Sequence, residues 1–130
     1  MGNFLLIGDA LRRNAYKYPV KTAVKGATRT TTYRELNDRV NRLANGLIVM
    51  GIHQGEAAAL LVGNRIEHLE ILFALAKIGA LAIPLDVKWR ALELASTLSS
   101  LQPTALFLEP GCREEFAEPM LYTVLVHVRE

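Results

Sequence analysis

The clearest hydrophobic pattern in the chain belongs to an amphipathic helix that follows Thr32. Thr32 and Glu35 have the spacing of a capping box, in which each side chain satisfies a free backbone N–H at a helix start. Apolar residues then recur at intervals of three or four: Leu36, Val40, Leu43, Leu47 and Met50. Charged residues take the other face: Arg34, Asp38, Arg39 and Arg42. The pattern predicts a helix that begins at Tyr33 and stops at Gly51.

Helices and apolar strands alternate along the rest of the chain. A first helix over residues 8–18 ends at Pro19, and a small hairpin follows, with arms at 22–25 and 29–31 around Gly26. Continuous apolar strands are predicted in this order: residues 57–62, 80–85, 104–108 and 122–128. The intervening helices are one capped by Asn64 and Glu67 and stopped by Gly79, one over residues 89–101, and a short polar one after the loop 109–112.

This alternation determines the expected fold class. Apolar strands that alternate with helices call for parallel pairing, right-handed crossovers and helices on both faces of the sheet. The predicted fold is therefore α/β, with a mostly parallel sheet and a small N-terminal hairpin. Residues 1–130 are predicted to form a single domain, since no repeat, low-complexity tract or long linker divides them.

Charge and hydropathy exclude several kinds of partner. The charged fraction is 22% and the formal net charge is +2, so no concentrated basic field is present and no nucleic-acid partner is expected. The most apolar stretch, residues 71–85, is too short for a transmembrane segment and is interrupted by Lys77, Gly79 and Pro84. A signal peptide is not expected at the start, and the single Cys112 fits a reducing compartment, so we expect a cytoplasmic location.

The histidines and the cysteine lack sequence neighbours at the spacings typical of metal sites or catalytic groups. His53, His68 and His127 lie too far apart in sequence to suggest metal ligands. Cys112 has no nearby histidine to act as a base, which argues against a catalytic thiol. Glycine-rich phosphate-binding patterns are absent. We therefore predict no catalytic, cofactor-binding or metal-ligating residue in this chain.

The pairs Glu67/Glu70 and Trp89/Arg90 can each be interpreted as structural or as functional residues. Glu67 and Glu70 could form an acid pair on one helix, but carboxylates near a helix start commonly stabilise the helix dipole, and we prefer that interpretation. Trp89 and Arg90 follow the loop 84–88, which leaves the carboxyl end of a strand, where open α/β sheets place ligands. We interpret Trp89 as a packing residue in the best location for a ligand contact.

Short motifs follow one another in a recognisable order over nearly the whole chain. They are residues 11–15 with 18–24, 32–37 with 39–47, 50–52 with 55–56, 64 with 67, and 73–74 with 77–80 and 84–85. In this order and spacing, the chain resembles the AMP-forming acyl-CoA synthetases, the adenylating family that includes luciferases and peptide-synthetase adenylation domains. Glu56 stands where the family often has Asp, and Gly63 where a larger residue is usual.

The resemblance implies a function for a longer parent protein. Such enzymes use ATP and Mg to convert a carboxylate to an acyl adenylate and then transfer the acyl group to coenzyme A; fatty acids are the family's commonest substrates. Their phosphate-binding loop, acidic residue and catalytic lysine lie downstream of the region that this chain resembles. The resemblance therefore implies an N-terminal fragment of an AMP-binding ligase that binds none of these cofactors and is not competent for catalysis alone.

Other interpretations and partners remain open at this point. The chain could be a free-standing binding or oligomerisation module of the same fold, or a small nucleotide-binding regulator, against which the missing glycine-rich loop argues. The resemblance implies that the remainder of the ligase chain is a partner. If that remainder is missing, apolar surface is left uncovered, so we expect the fragment to self-associate as a dimer through the strand at 122–128.

Overall fold

The computed structural model describes residues 7–109 and 122–125. Its helices are α1 (Ile7–Lys17), α2 (Tyr33–Met50), α3 (Ile66–Ile78) and α4 (Ala91–Leu101). Its strands are β1 (Thr22–Lys25), β2 (Thr30–Thr32), β3 (Ala57–Leu61), β4 (Leu81–Pro84), β5 (Ala105–Leu108) and β6 (Tyr122–Leu125). Within these residues, no helix has the length and apolar character needed to cross a membrane.

The strands form two sheets. β1 and β2 are an antiparallel hairpin, as predicted, with an irregularity in the register between Thr22 and Val24. The other sheet has four strands in the order β4-β3-β5-β6, and every neighbouring pair is parallel. Ala58 of β3 lies opposite Ala82 on one side and Ala105 on the other. The predicted α/β class and mostly parallel sheet are confirmed.

Helices cover both faces of the parallel sheet, also as predicted. Successive β3 residues point to opposite faces, so Ala58 and Leu60 join one core cluster, whereas Ala59 and Leu61 join the other. The first cluster is built with residues of α1, α2 and α3: Leu11, Leu36, Val40, Ala44, Leu47, Ile71, Ala74 and Leu75. The second is built with Leu94 and Leu98 of α4. Among the described elements, α1, α2 and α3 therefore belong to one face and α4 to the other.

The long helix α2 has the predicted ends but a slightly different buried face. The Thr32 and Glu35 side chains form the capping box, and Gly51 is left-handed with φ 99°. The buried residues of this helix are Leu36, Val40, Ala44 and Leu47. Leu43 is only partly buried and Met50 is 39% exposed. Leu43 still packs against the core, so only Met50 falls outside the predicted face, and Ala44 is buried in addition.

Other element boundaries differ by a few residues from those predicted. Arg65, with no side-chain capping hydrogen bond, is the N-cap of α3, so the cap predicted at Asn64 is wrong. The strand predicted at 80–85 is the shorter strand β4, which lies at the edge of the described sheet. Its Leu81 is 60% exposed. Helix α4 begins at Ala91, two residues after Trp89. The predicted helix after residue 112 and the end of the last strand lie outside the described residues.

Candidate functional site: a cleft at the carboxyl edge of the sheet

An open cleft with a volume of about 1250 Å³ lies at the carboxyl ends of β3, β4 and β5. Its walls are the hairpin turn with its flanks (residues 24–29), the segment from β3 into α3 (62–69), the loop after β4 (85–88), and Glu109. From β3 the chain crosses to β4 on one side of β3, and from β4 it crosses back to β5 on the other side. The order of the strands therefore reverses at β3. Open α/β sheets bind ligands at such positions.

Glu109 connects two of these walls. Its Oε1 accepts a hydrogen bond from the backbone N–H of Gly63 and lies 3.3 Å from Nε of Arg65. The carboxylate therefore joins the end of β5 to the segment that follows β3. The sequence places Glu109 in a loop but gives no sign of these contacts, because both partners lie more than forty residues away in the chain.

Glu70 is the most buried charged side chain near the cleft. Its Oε1 lies 2.7 Å from Nη2 of Arg29 and 2.9 Å from Nε of Arg39, and its side chain is 8% exposed. Burial opposes the charge on Arg29, but the hydrogen bonds and charges of Glu70 and then Glu67 outweigh it and raise the pKa of Arg29. Glu70 therefore has a structural role, as predicted, but through ion pairs and not through the helix dipole. Arg39 lies on the charged face predicted for α2, with 39% of its side chain exposed, and reaches Glu70 from there.

Glu67 keeps its place in the first turn of α3, where a carboxylate does favour the helix dipole. Its Oε1 also lies 3.4 Å from Nη2 of Arg29, so both acidic residues share one guanidinium. Arg29 and Arg39 together balance the two carboxylates, and Glu70 is buried, so the pair is not arranged as an exposed acid and base. The spacing of Glu67 and Glu70 on α3 could not show these ion pairs, because Arg29 belongs to the hairpin.

The histidines and the cysteine do not assemble into a reactive group in the described part of the chain. His68 lines the cleft, and its Nδ1 lies 3.0 Å from the carbonyl oxygen of Val62, which fixes the ring. His53 is exposed. His127 and Cys112 lie outside the described residues. Across residues 7–109 and 122–125, no cluster of three His, Cys, Asp or Glu side chains could hold a metal ion.

The loop after β4 contributes to the cleft, as its position in the sequence indicated. Asp86 organises this loop: its carboxylate accepts a hydrogen bond from the Lys88 amide at 2.8 Å, and its carbonyl oxygen accepts one from the Trp89 amide at 3.1 Å. The described lining includes Lys88 but neither Trp89 nor Arg90. Trp89 is 39% exposed, so its interpretation as a packing residue is not supported.

The family of this chain follows from a comparison with known proteins. Residues 11–128 match the model of the family described as AMP-binding enzyme. The chain belongs to the AMP-binding enzyme family. This match covers all the walls of the cleft and every described element except the start of α1.

Relatives within the AMP-binding family include both CoA ligases and a peptide synthetase. The chain is 37% identical over 105 residues to the feruloyl-CoA synthase of an Amycolatopsis species, which covers 81% of this chain and 21% of that protein. It is 31% identical over 116 residues to the phosphinothricin tripeptide synthetase PhsC of Streptomyces viridochromogenes, covering 89% of this chain and 11% of that protein. The chain thus spans about a fifth of the length of the first relative and about a ninth of the second.

A solved structure shows the same fold. A Rhodopseudomonas palustris protein described as a long-chain-fatty-acid CoA ligase superposes with a TM-score of 0.89 at 28% sequence identity. The match covers 98% of this chain and 34% of that chain. The N-terminal subdomain of the acyl-CoA ligase fold, implied by the resemblance in the sequence, is confirmed.

Proposed function

We propose that this chain is the N-terminal segment of an ATP-dependent acyl-CoA synthetase. The observation that carries the proposal is the family match over residues 11–128. The 37% identity to feruloyl-CoA synthase favours coenzyme A as the acyl acceptor. In the proposed reaction, the carboxylate attacks the α-phosphorus of ATP and pyrophosphate leaves; the thiol of coenzyme A then attacks the acyl carbon, loses its proton, and AMP leaves.

The proposed reaction needs groups beyond those of the described cleft. Phosphoryl chemistry depends on positioned cations and backbone donors around the phosphates. In the cleft, Arg29 is committed to Glu70 and Glu67, and Arg65 lies beside Glu109. These arginines therefore do not form a cradle for ATP and Mg. We propose that the remainder of the ligase chain supplies those sites and that this chain alone is inactive.

The test compares two polypeptides from the same reading frame. One is the 130-residue chain, and the other is the product of the frame read on past codon 130. Each is assayed for carboxylate-dependent exchange of pyrophosphate into ATP and for CoA thioester formation, with aromatic and fatty carboxylates. We expect both activities from the longer product and neither from the 130-residue chain. Exchange without thioester formation by the longer product would point to a carrier-bound acceptor, as in a peptide synthetase.

A second candidate is a free-standing binding or oligomerisation module that keeps the fold without the chemistry. Leu92 and Leu101 of α4 are 82% and 41% exposed, and such apolar exposure favours a protein–protein contact at this helix. A stop codon directly after codon 130 would support this candidate against the ligase. For either function we propose a cytoplasmic location, which the reducing environment expected for Cys112 supports.

A further inference from the structure

The hairpin turn is a wall of the cleft in which few side chains are buried: Val24 packs against the core and Gly26 approaches Ile66 of α3. Gly26, Ala27 and Thr28 are exposed, and the amide of Gly26 closes the turn on the carbonyl oxygen of Arg29 at 2.8 Å. A turn with few buried apolar contacts lies at the low end of local stability. We therefore expect polar contacts to contribute to holding these exposed residues beside the cleft.

Arg29 supplies the polar contacts between this turn and helix α3. Its Nη2 lies 2.7 Å from Glu70 and 3.4 Å from Glu67, while Nη1 donates to Oγ1 of Thr31 at 2.7 Å. One guanidinium thus joins the base of the turn to its own strand and to two successive turns of α3. Glu70 is a strong anchor because its side chain is only 8% exposed, so solvent screens its charge little.

We propose that Arg29 is a positioning residue, which holds the hairpin turn in place as a wall of the cleft through its ion pair with Glu70. Loss of this pair would let residues 24–29 move away and open the cleft on that side, with the sheet and α3 unchanged. The inference goes beyond the proposed reaction. It holds for any ligand of the cleft, and its test does not require activity.

Arg39 provides the matched control. It binds the same oxygen of Glu70 at 2.9 Å, but it projects from α2 and does not line the cleft. Replacing either arginine by glutamine removes one cation from the same buried carboxylate. Only Arg29→Gln removes the ion pair between the hairpin and α3, so the two variants separate positioning of the turn from general loss of stability.

The experiment is hydrogen exchange followed by mass spectrometry on the 130-residue chain and its variants. In Arg29→Gln, we expect exchange in peptides spanning residues 22–32 to be about tenfold or more faster, relative to peptides from the buried strands β3 and β5. In Arg39→Gln, that ratio should stay within about twofold of the parent chain. Unchanged hairpin exchange in Arg29→Gln, or equal acceleration in both variants, would overturn the proposal.

A milder substitution covers the case in which Arg29→Gln fails to fold. Arg29→Lys keeps a cation for Glu70 but cannot present the planar fork that reaches Glu67 and Thr31 together. We expect its hairpin exchange to be faster than in the parent chain and slower than in any folded Arg29→Gln sample. Parent-like exchange at 22–32 in Arg29→Lys would overturn the proposed role of the guanidinium.

Discussion

Gly26 of the hairpin turn lies so close to Ile66 of α3 that a Cβ at position 26 would stand 2.7 Å from Cδ1 of Ile66. The same Cβ would lie 3.1 Å from the carbonyl oxygen of Arg29. Ile66 is buried, so it has little room to yield. Absence of a side chain at Gly26 is therefore what allows the turn to approach the start of α3.

We accordingly predict that Gly26→Ala destabilises the chain by about 1–3 kcal/mol, the usual cost of inserting a methyl group into a filled space. Gly46→Ala is the control, because a Cβ at Gly46 meets nothing within 4 Å and the position is exposed in the middle of α2. It should stabilise by about 0.5–1 kcal/mol through helix propensity. Urea denaturation measures both, and destabilisation of the same size in the two variants would refute the contact.

The buried face of α2 gives a second prediction. Leu47 is 1% exposed, so Leu47→Ala should cost about 2–5 kcal/mol through lost burial and a cavity. Leu43→Ala should cost about 1–2 kcal/mol, since a partly exposed side chain loses less on truncation. Exposed Arg42→Ala should cost under about 0.5 kcal/mol. Chemical denaturation checks the order, and a Leu43 loss as large as that of Leu47 would contradict the observed helix face.

Because of the capping box, we expect Glu35 to contribute to the loss of folding stability at low pH. Hydrogen bonds from the hydroxyl and backbone amide of Thr32 hold the pKa of the Glu35 carboxyl below its ordinary value of 4.5. The resulting stability is present above the unfolded-state pKa and is lost as the pH falls through the lower, folded-state value. Denaturation midpoints between about pH 7 and pH 3 should therefore fall less in Glu35→Gln than in the parent chain.

Thr32→Val supplies the control for the Glu35 prediction. It removes the hydroxyl that donates to Glu35 at 2.8 Å but keeps the carboxylate and the backbone amide. Its acid sensitivity should lie between those of the parent chain and Glu35→Gln. If the three proteins lost stability in parallel on acidification, Glu35 would not be one of the groups responsible.

Self-association of the 130-residue chain remains a prediction. β4 and β6 are the outer strands of the described sheet, and unpaired edges favour association between copies. We predict a symmetric dimer through the C-terminal strand, visible in sedimentation at micromolar concentration. Leu81→Lys, which places a charge on the exposed edge of β4, should leave this dimer intact. A monomeric parent chain would exclude the prediction, and dissociation by Leu81→Lys would move the contact to β4.

The sequence alone determined the elements and the fold class. The capping box at Thr32, the stop at Gly51 and the apolar strands β3 and β5 depend on neighbouring residues, through backbone hydrogen bonds and local periodicity. Alternation of these elements then required a parallel sheet with helices on both faces. The order of short motifs indicated the family, which the match over residues 11–128 confirms.

Only the tertiary structure decided what the charged residues do. Periodicity placed Arg39 on the charged face of α2 and Glu70 near a helix start, yet Glu70 is buried and pairs with both Arg39 and Arg29, the latter from a distant hairpin. Glu109 likewise finds Gly63 and Arg65 across the sheet edge. Such pairs have no fixed sequence spacing, because their geometry depends on how whole elements pack. A charge pattern read along one helix cannot show which opposite charge another element brings to it.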